Sequence, residues 1–355
     1  MTYIPLETND SVLISVITQI SYENEKILIK DTDGSQNNCY LFDKNGNFCC
    51  KIGRRGQGPD DYLFMNNVFI HDNLIFLNVM NKILIYNFNG YLVEKINFRL
   101  YDSISENRWY DAINYILPLK KDTFIMDIVL DYGYYPKAVL FETYQSNVKM
   151  INEYPNYVRL DKHPGVSHCE IGIMYRYKED VRIYKVINDT IFTVGQNMEM
   201  KDAFIFELGK YRPTRSYMER KEDYRFIMNY IFPWDFLESL NHLFIRFSFG
   251  NHSPEPFGNS ADEHSVYGVF DKLTGQLTLM NQPIKGKLGF KNDIDGGPVI
   301  WPHYITSNNE LVTYLSAEEF MDYFDKIEKP TPQMTEIAKK ISWDDNQIII
   351  IAKLK

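Results

Sequence analysis

Short runs of alternating apolar and polar residues dominate the chain, and Gly, Asn, Asp or Pro breaks them every few positions. Alternation with period two puts every second side chain on one face of an extended strand, and the breaks supply turns. The stretches NCYLFDKNGNFCCKIG (38–53) and KILIYNFNGYLVEKIN (82–97) share one pattern, in which strand, Asn-Gly turn and strand follow one another. Asp43 and Asn87 hold equivalent places 44 residues apart, as do Gly46 and Gly90. A looser copy, VYGVFDKLTGQLTLMN (266–281), carries Asp271 and Gly275, and weaker copies lie at 137–152 and 202–211. A strand pair precedes each hairpin, so the repeating unit is a four-stranded antiparallel meander of about 40–60 residues, the size of a propeller blade.

This spacing predicts an all-β chain, a six-bladed β-propeller of four-stranded antiparallel blades in one domain over 1–355. The blades centre on 12–53, 63–99, 108–152, 170–211, 222–282 and 288–355. Ala317, Phe320, Met321 and Phe324 follow helical spacing, which predicts a short helix near the C-terminal blade before Pro330, with a further turn or two after Thr331. An open sheet edge is a liability, so a strand at 2–8 is expected to close the last blade by pairing with 347–355.

Composition narrows the function classes. The 38 basic and 47 acidic residues leave a net charge of -9 with no dense Lys/Arg tract, so nucleic acid is not an expected partner. No run of about 18 apolar residues occurs, so no transmembrane segment is expected. MTYIPLETND reads as the start of a mature domain. Aromatic residues make up 15%, in keeping with pleated, half-buried surfaces. The cysteines are Cys39, Cys49, Cys50 and Cys169, without a CxxC pair. Cys39 and the Cys49-Cys50 pair flank a hairpin turn and could face one another, which leaves both free thiols and a disulfide open.

The stretch IGRRGQGPDDY (52–62) joins the outer strand of one unit to the inner strand of the next. Its glycines permit tight backbone, Pro59 fixes a turn, and Arg54 and Arg55 offer ten N–H donors. A structural corner and a ligand contact by Arg54 or Arg55 are both open; a phosphate loop would need a following helix. With the hairpin ILIYNFNGYLVEKI, the late segment NDIDGGPVIWPHY and the closing DDNQIIIIAKLK, this stretch resembles a six-bladed β-propeller family of Bacteroidetes related to NHL-repeat propellers. Gly56, Gly58, Pro59 and Tyr62 match its G-x-G-P-x-E-Y-like stretch, and Asp61 stands where that family has Glu. The resemblance implies an exported, extracytoplasmic protein, often a lipid-anchored lipoprotein, and implies no particular activity.

Ligands of propellers gather where inner strands and their connections converge. Asp293, Asp295, Trp301 and His303 in NDIDGGPVIWPHY form the leading constellation: two carboxylates on one face of an extended chain could hold Ca²⁺, shift each other's pKa, or with Trp bind sugar. Turn capping by the carboxylates and core filling by Trp301 are the competing reading. Arg246 lies among aromatics on a predicted strand and is a further ligand-binding candidate, with a snorkelling or paired arginine as the competing reading. His163, His168 and Glu170 lie close enough along the chain for a transition-metal site such as Zn²⁺, with a loop carrying incidental histidines as the competing reading, and KDTDGSQNN (30–38) reads as a hairpin turn because Gly34 comes too early for a calcium loop. The expected function is recognition of a carbohydrate, peptide or protein ligand at the axial face, by a monomer. A metal-assisted hydrolase or lyase on the same face, and a structural scaffold of a cell-surface assembly, are the alternatives.

Overall fold

A computed structural model describes residues 1–34, 36–79, 82–97, 112–120, 122–129, 137–144, 147–155, 172–185, 189–213, 229–252, 265–280 and 289–354. Among them the strands form six four-stranded antiparallel sheets. In chain order from the inside out, the first sheet is Ile17–Glu23, Lys26–Asp33, Gln36–Asp43 and Phe48–Lys51. The second is Asn67–His71, Leu74–Val79, Lys82–Asn87 and Leu92–Asn97. The third is Ala112–Lys120, Thr123–Val129, Lys137–Tyr144 and Asn147–Pro155. The fourth is Gly172–Tyr177, Asp180–Lys185, Thr190–Val194 and Met200–Ile205. The fifth is Phe232–Glu238, His242–Ser248, Ser265–Asp271 and Gln276–Leu279. The sixth holds Tyr304–Ile305, Glu310–Leu315 and Ile348–Lys353, and its outermost strand is Thr2–Pro5 from the other end of the chain.

The first strand of each sheet touches the first strand of the next, and Tyr304–Ile305 of the sixth returns to Ile17–Glu23 of the first. These strands therefore surround an axis, and the sheets radiate from it as the blades of an all-β propeller. The cores lie between neighbouring sheets. Leu28, Leu41 and Ile52 of the first pack on Val68, Ile75 and Leu77 of the second. Ile27, Ile29 and Phe42 pack on Val312 and Ile349 of the sixth, and Tyr184 and Ile191 of the fourth pack on Phe236 and Ile245 of the fifth.

The hairpin repeat has one physical form. The Asp43 carboxylate accepts from the backbone N–H of Asn45 (2.8 Å) and Asn47 (3.0 Å). The Asn87 amide oxygen accepts likewise from Asn89 (3.0 Å) and Tyr91 (3.1 Å). Asp271 repeats the arrangement with Leu273 and Thr274. Each turn then ends on a glycine with positive φ, 86° at Gly46, 78° at Gly90 and 72° at Gly275. Gly46 carries a second constraint, because a Cβ there would lie 2.0 Å from the Pro5 carbonyl oxygen of the closing strand.

Two short helices, Ala317–Phe324 and Pro332–Ala338, cross between Glu310–Leu315 and Ile348–Lys353. Ser316 and Glu319 form a capping box on the first, and Thr331 caps the second ahead of Pro332. Phe320, Met334 and Ile337 bury themselves against Tyr3 and Ile350.

Candidate functional site

Three inner strands share an irregularity. The pairing of the first strand with the second slips between Ile17 and Gln19, between Ile113 and Tyr115, and between Pro233 and Asp235. These bulges lie within the opening residues of the strands of the first, third and fifth sheets, alternate positions around the axis. A bulge lets two consecutive side chains leave the regular alternation, and such features concentrate beside functional sites. The consequence is plain on Phe232–Glu238, where Trp234 and Asp235 are both exposed between buried Pro233 and Phe236. Thr18, the bulged residue of Ile17–Glu23, is exposed as well.

Asp235 is accessible yet enclosed by protein on most sides. That enclosure raises its carboxyl pKa, against the Phe236 N–H and the Arg246 guanidinium, which lower it. Arg246 comes from the adjacent strand and donates through Nε to Ser265 Oγ (3.3 Å). Tyr115 approaches from the third sheet: burial raises its phenol pKa first, and the charges of Asp235 and Asp127 add to that. His303, just ahead of Tyr304–Ile305, is also accessible but enclosed, and burial pushes it down to about 4 despite a backbone hydrogen bond at Trp301. At neutral pH it therefore presents an uncharged ring, whose Nδ1 lies 2.9 Å from Thr313 Oγ1.

The far end of the inner strands is cross-braced. The Tyr304 hydroxyl donates to Glu23 (2.8 Å), which also accepts from the Ser307 N–H and hydroxyl. Arg176 Nη1 meets His71 Nδ1 at 2.7 Å, joining the fourth sheet to the second past the third. Arginine only donates, so His71 must accept at Nδ1 and carry its proton on Nε2, which faces Asp72 at 3.4 Å. Burial, then the Arg176 cation, lower the His71 pKa, while Asp72 and Glu179 pull it up; the Phe76 ring is its apolar neighbour. A folded pKa below the unfolded value of about 6.5 means that the unfolded chain binds more protons. Stability from this group is thus complete above about pH 6.5 and drains away as pH falls through the folded value. His71→Gln, which still accepts from Arg176 but does not titrate, is expected to flatten the fall in Tm between neutral and mildly acid pH, leaving the part due to His303. A Tm–pH curve with the wild-type slope would refute this account.

The residues singled out in the sequence separate into two groups. Arg246 and His303 stand beside the axis with Asp235 and Tyr115. Asp295 stands toward the rim: it accepts from the hydroxyl of Tyr3, in the outermost strand of the sixth sheet (3.0 Å), from Asn292 Nδ2 (2.7 Å) and from the Gly297 N–H (3.1 Å). The chain bends there instead of extending, with Gly296 at φ 72°, and Asp293 is exposed on the turn. Trp301 packs against Tyr267, Phe290 and Phe244, filling the seam between the fifth and sixth sheets.

The Arg54–Asp61 stretch forms a corner built on one carboxylate. Asp61 accepts from Arg54 Nε (2.9 Å) and Nη2 (3.2 Å) and from the Gly58 N–H (2.9 Å). A Cβ on Gly56 would come 2.2 Å from Asp61 Oδ2, which explains the glycine. Arg55 is exposed and makes no ion pair among the described residues. Cys39, Cys49 and Cys50 are free thiols. His163, His168 and Glu170 lie outside the described residues, within which no group of three or more His, Cys, Asp or Glu could hold a metal ion.

Asp235 and Tyr115 were not legible beforehand. PWDFLE and NYILPL read as ordinary strands, and only the register slips, which need the partner strand, mark them.

With this geometry in place, the chain can be set among known proteins. It belongs to the family described as Domain of unknown function (DUF4934), which it matches over residues 1–353. No curated protein matches it. Among solved structures it resembles a Bacteroides fragilis protein whose name marks it as a candidate exported protein, at 19% identity and TM-score 0.70, over 100% of this chain and 94% of that one. It also resembles a member of the DUF4221 family from Bacteroides vulgatus, at 14% identity and TM-score 0.54, over 99% of this chain and 95% of that one. At these identities the likeness concerns the fold. No described helix is long and apolar enough to cross a membrane.

Proposed function

We propose that the chain is a single six-bladed propeller, exported from the cytoplasm, that binds a carbohydrate, peptide or protein ligand at the mouth of its axis. The observation that carries this reading is the set of bulges at the start of the inner strands of the first, third and fifth sheets. Bulges weaken their own sheets; three at one level around one axis, re-aiming Thr18, Trp234 and Asp235, serve a site better than they serve the fold. Among the described residues the opposite end is braced by Glu23–Tyr304 and Arg176–His71. Export is supported by the name of the Bacteroides fragilis relative and by the resemblance of the Gly56–Tyr62 stretch.

A thermal-shift screen of glycans and peptides tests this. A ligand that binds only the folded state raises Tm. Thr18→Trp, an enlargement at an exposed position that also gives up the hydroxyl's contacts with the Lys30 carbonyl and Thr32, is expected to abolish the shift of every genuine ligand. Hits that bind Thr18→Trp as they bind wild type would sink the axial assignment.

A further inference from the structure

We infer that the axial site takes an uncharged saccharide, an inference that rests on the axial reading and narrows its ligand class. The charges at the site answer one another. Asp235 faces Arg246 on the neighbouring strand, and Arg246 is itself tied to Ser265. His303 is neutral at physiological pH, its Nδ1 occupied by Thr313. A charged peptide terminus or phosphate would have to break the Asp235–Arg246 match or enter without a counter-charge, and desolvating an unmatched charge is costly. What the site does offer is hydroxyl chemistry from several sheets. The Tyr115 hydroxyl donates and accepts, the Thr18 hydroxyl, which meets the Lys30 carbonyl at 3.2 Å and Thr32 Oγ1 at 3.1 Å, keeps a lone pair to accept with, and Asp235 accepts. A sugar hydroxyl likewise donates and accepts, so such a ring of groups can satisfy a neutral ring of hydroxyls without net charge.

The second element is Trp234. The residue is 47% exposed, although it stands on an innermost strand next to buried Pro233. An exposed indole beside hydrogen-bonding groups offers a flat apolar face with polar neighbours, which suits the C–H face of a pyranose. The bulge is what brings this face and the Asp235 carboxylate out together; regular alternation would send one of them into the sheet interface.

Calorimetric titration of the full chain decides the matter. The probes are neutral gluco-, galacto-, manno- and xylo-oligosaccharides, set against uronic-acid and sulfated oligosaccharides and against acidic and basic peptides. At least one neutral sugar series is expected to bind, with Trp234→Ala and Asp235→Asn each weakening it at least about tenfold. Thr18→Ala, from a different sheet, gives an independent reading should either of those variants melt early. Preferred binding of charged sugars or peptides that the same substitutions abolish would overturn the saccharide class and keep the axial site. Binding of any probe that ignores all three substitutions would overturn both. A panel in which no neutral sugar binds would overturn the saccharide class.

Discussion

Glu238→Ala is expected to lower unfolding free energy by about 3–5 kcal/mol, the cost of removing one partner from a buried charge cluster. Glu238 is 1% exposed at its side chain and sits at the end of the inner strand of the fifth sheet. It accepts from Arg182 Nε (2.9 Å) and Nη2 (3.2 Å), from Lys272 Nζ (2.7 Å) and from the Tyr175 hydroxyl (3.2 Å). Arg182 in turn meets Thr193 and Asp180, and Lys272 stands 4.0 Å from the centre of the Tyr177 ring. Burial works against the Arg182 cation, yet the hydrogen bond and charge of Glu238 raise its pKa overall. The carboxylate thus joins the fourth sheet to the fifth, and without it two cations share a desolvated pocket. Urea denaturation of the variant checks this, and a loss under about 1 kcal/mol would mean that water screens the cluster as it screens a surface pair. Replacing Glu238, Arg182 and Lys272 together with methionine should recover much of the loss, because apolar residues leave no charge unpaired.

Deleting residues 1–8 should cost on the order of 5 kcal/mol and make the protein self-associate. Tyr3, Ile4 and Leu6 are 3%, 6% and 3% exposed. Burying each such side chain contributes about 1.5–3 kcal/mol. The segment also covers the edge of Ile348–Lys353, against which Thr2–Pro5 pairs from Thr2↔Ile351 to Pro5↔Ile348. Uncovered, that strand presents four consecutive isoleucines and a row of unpaired backbone groups, a template for association. Melting and size-exclusion chromatography check the prediction; an unchanged Tm in a monomeric product would refute it. Asn346→Ala tests the same seam with a smaller change. Its amide accepts from the Ile14 N–H (2.8 Å) and donates to the carbonyls of Glu7 (2.7 Å) and Val12 (3.0 Å). Leaving those buried groups unmatched should cost about 2–4 kcal/mol.

The seam also shows how far the sequence reaches. Alternation and turn residues are local properties, and Asp43, Gly46, Asn87 and Gly90 carried the hairpins and their repeat without reference to anything distant. The helix at Ala317–Phe324 was readable for the same reason, its apolar spacing lying within a few residues. The pairing of Thr2–Pro5 with Ile348–Lys353 was open to inference from a general physical rule, the liability of a bare edge.

Other features depend on residues far apart in the chain. Asp295 and Trp301 have the chemistry of a sugar site on paper, but Tyr3 takes the carboxylate and Phe244, Tyr267 and Phe290 take the indole. Conversely, nothing local distinguishes Asp235, Tyr115 or Glu238 from other strand residues. Their setting comes from the slip of one strand against its partner and from the meeting of sheets that lie 56 residues apart between Arg182 and Glu238. The sequence by itself determined the strands, the turns, their antiparallel order and the family likeness, because hydrogen-bonding and burial patterns repeat over a few residues. Only the tertiary structure decided which polar groups are spent on the fold and which stand open at the axis, because that depends on which distant partner reaches each of them first.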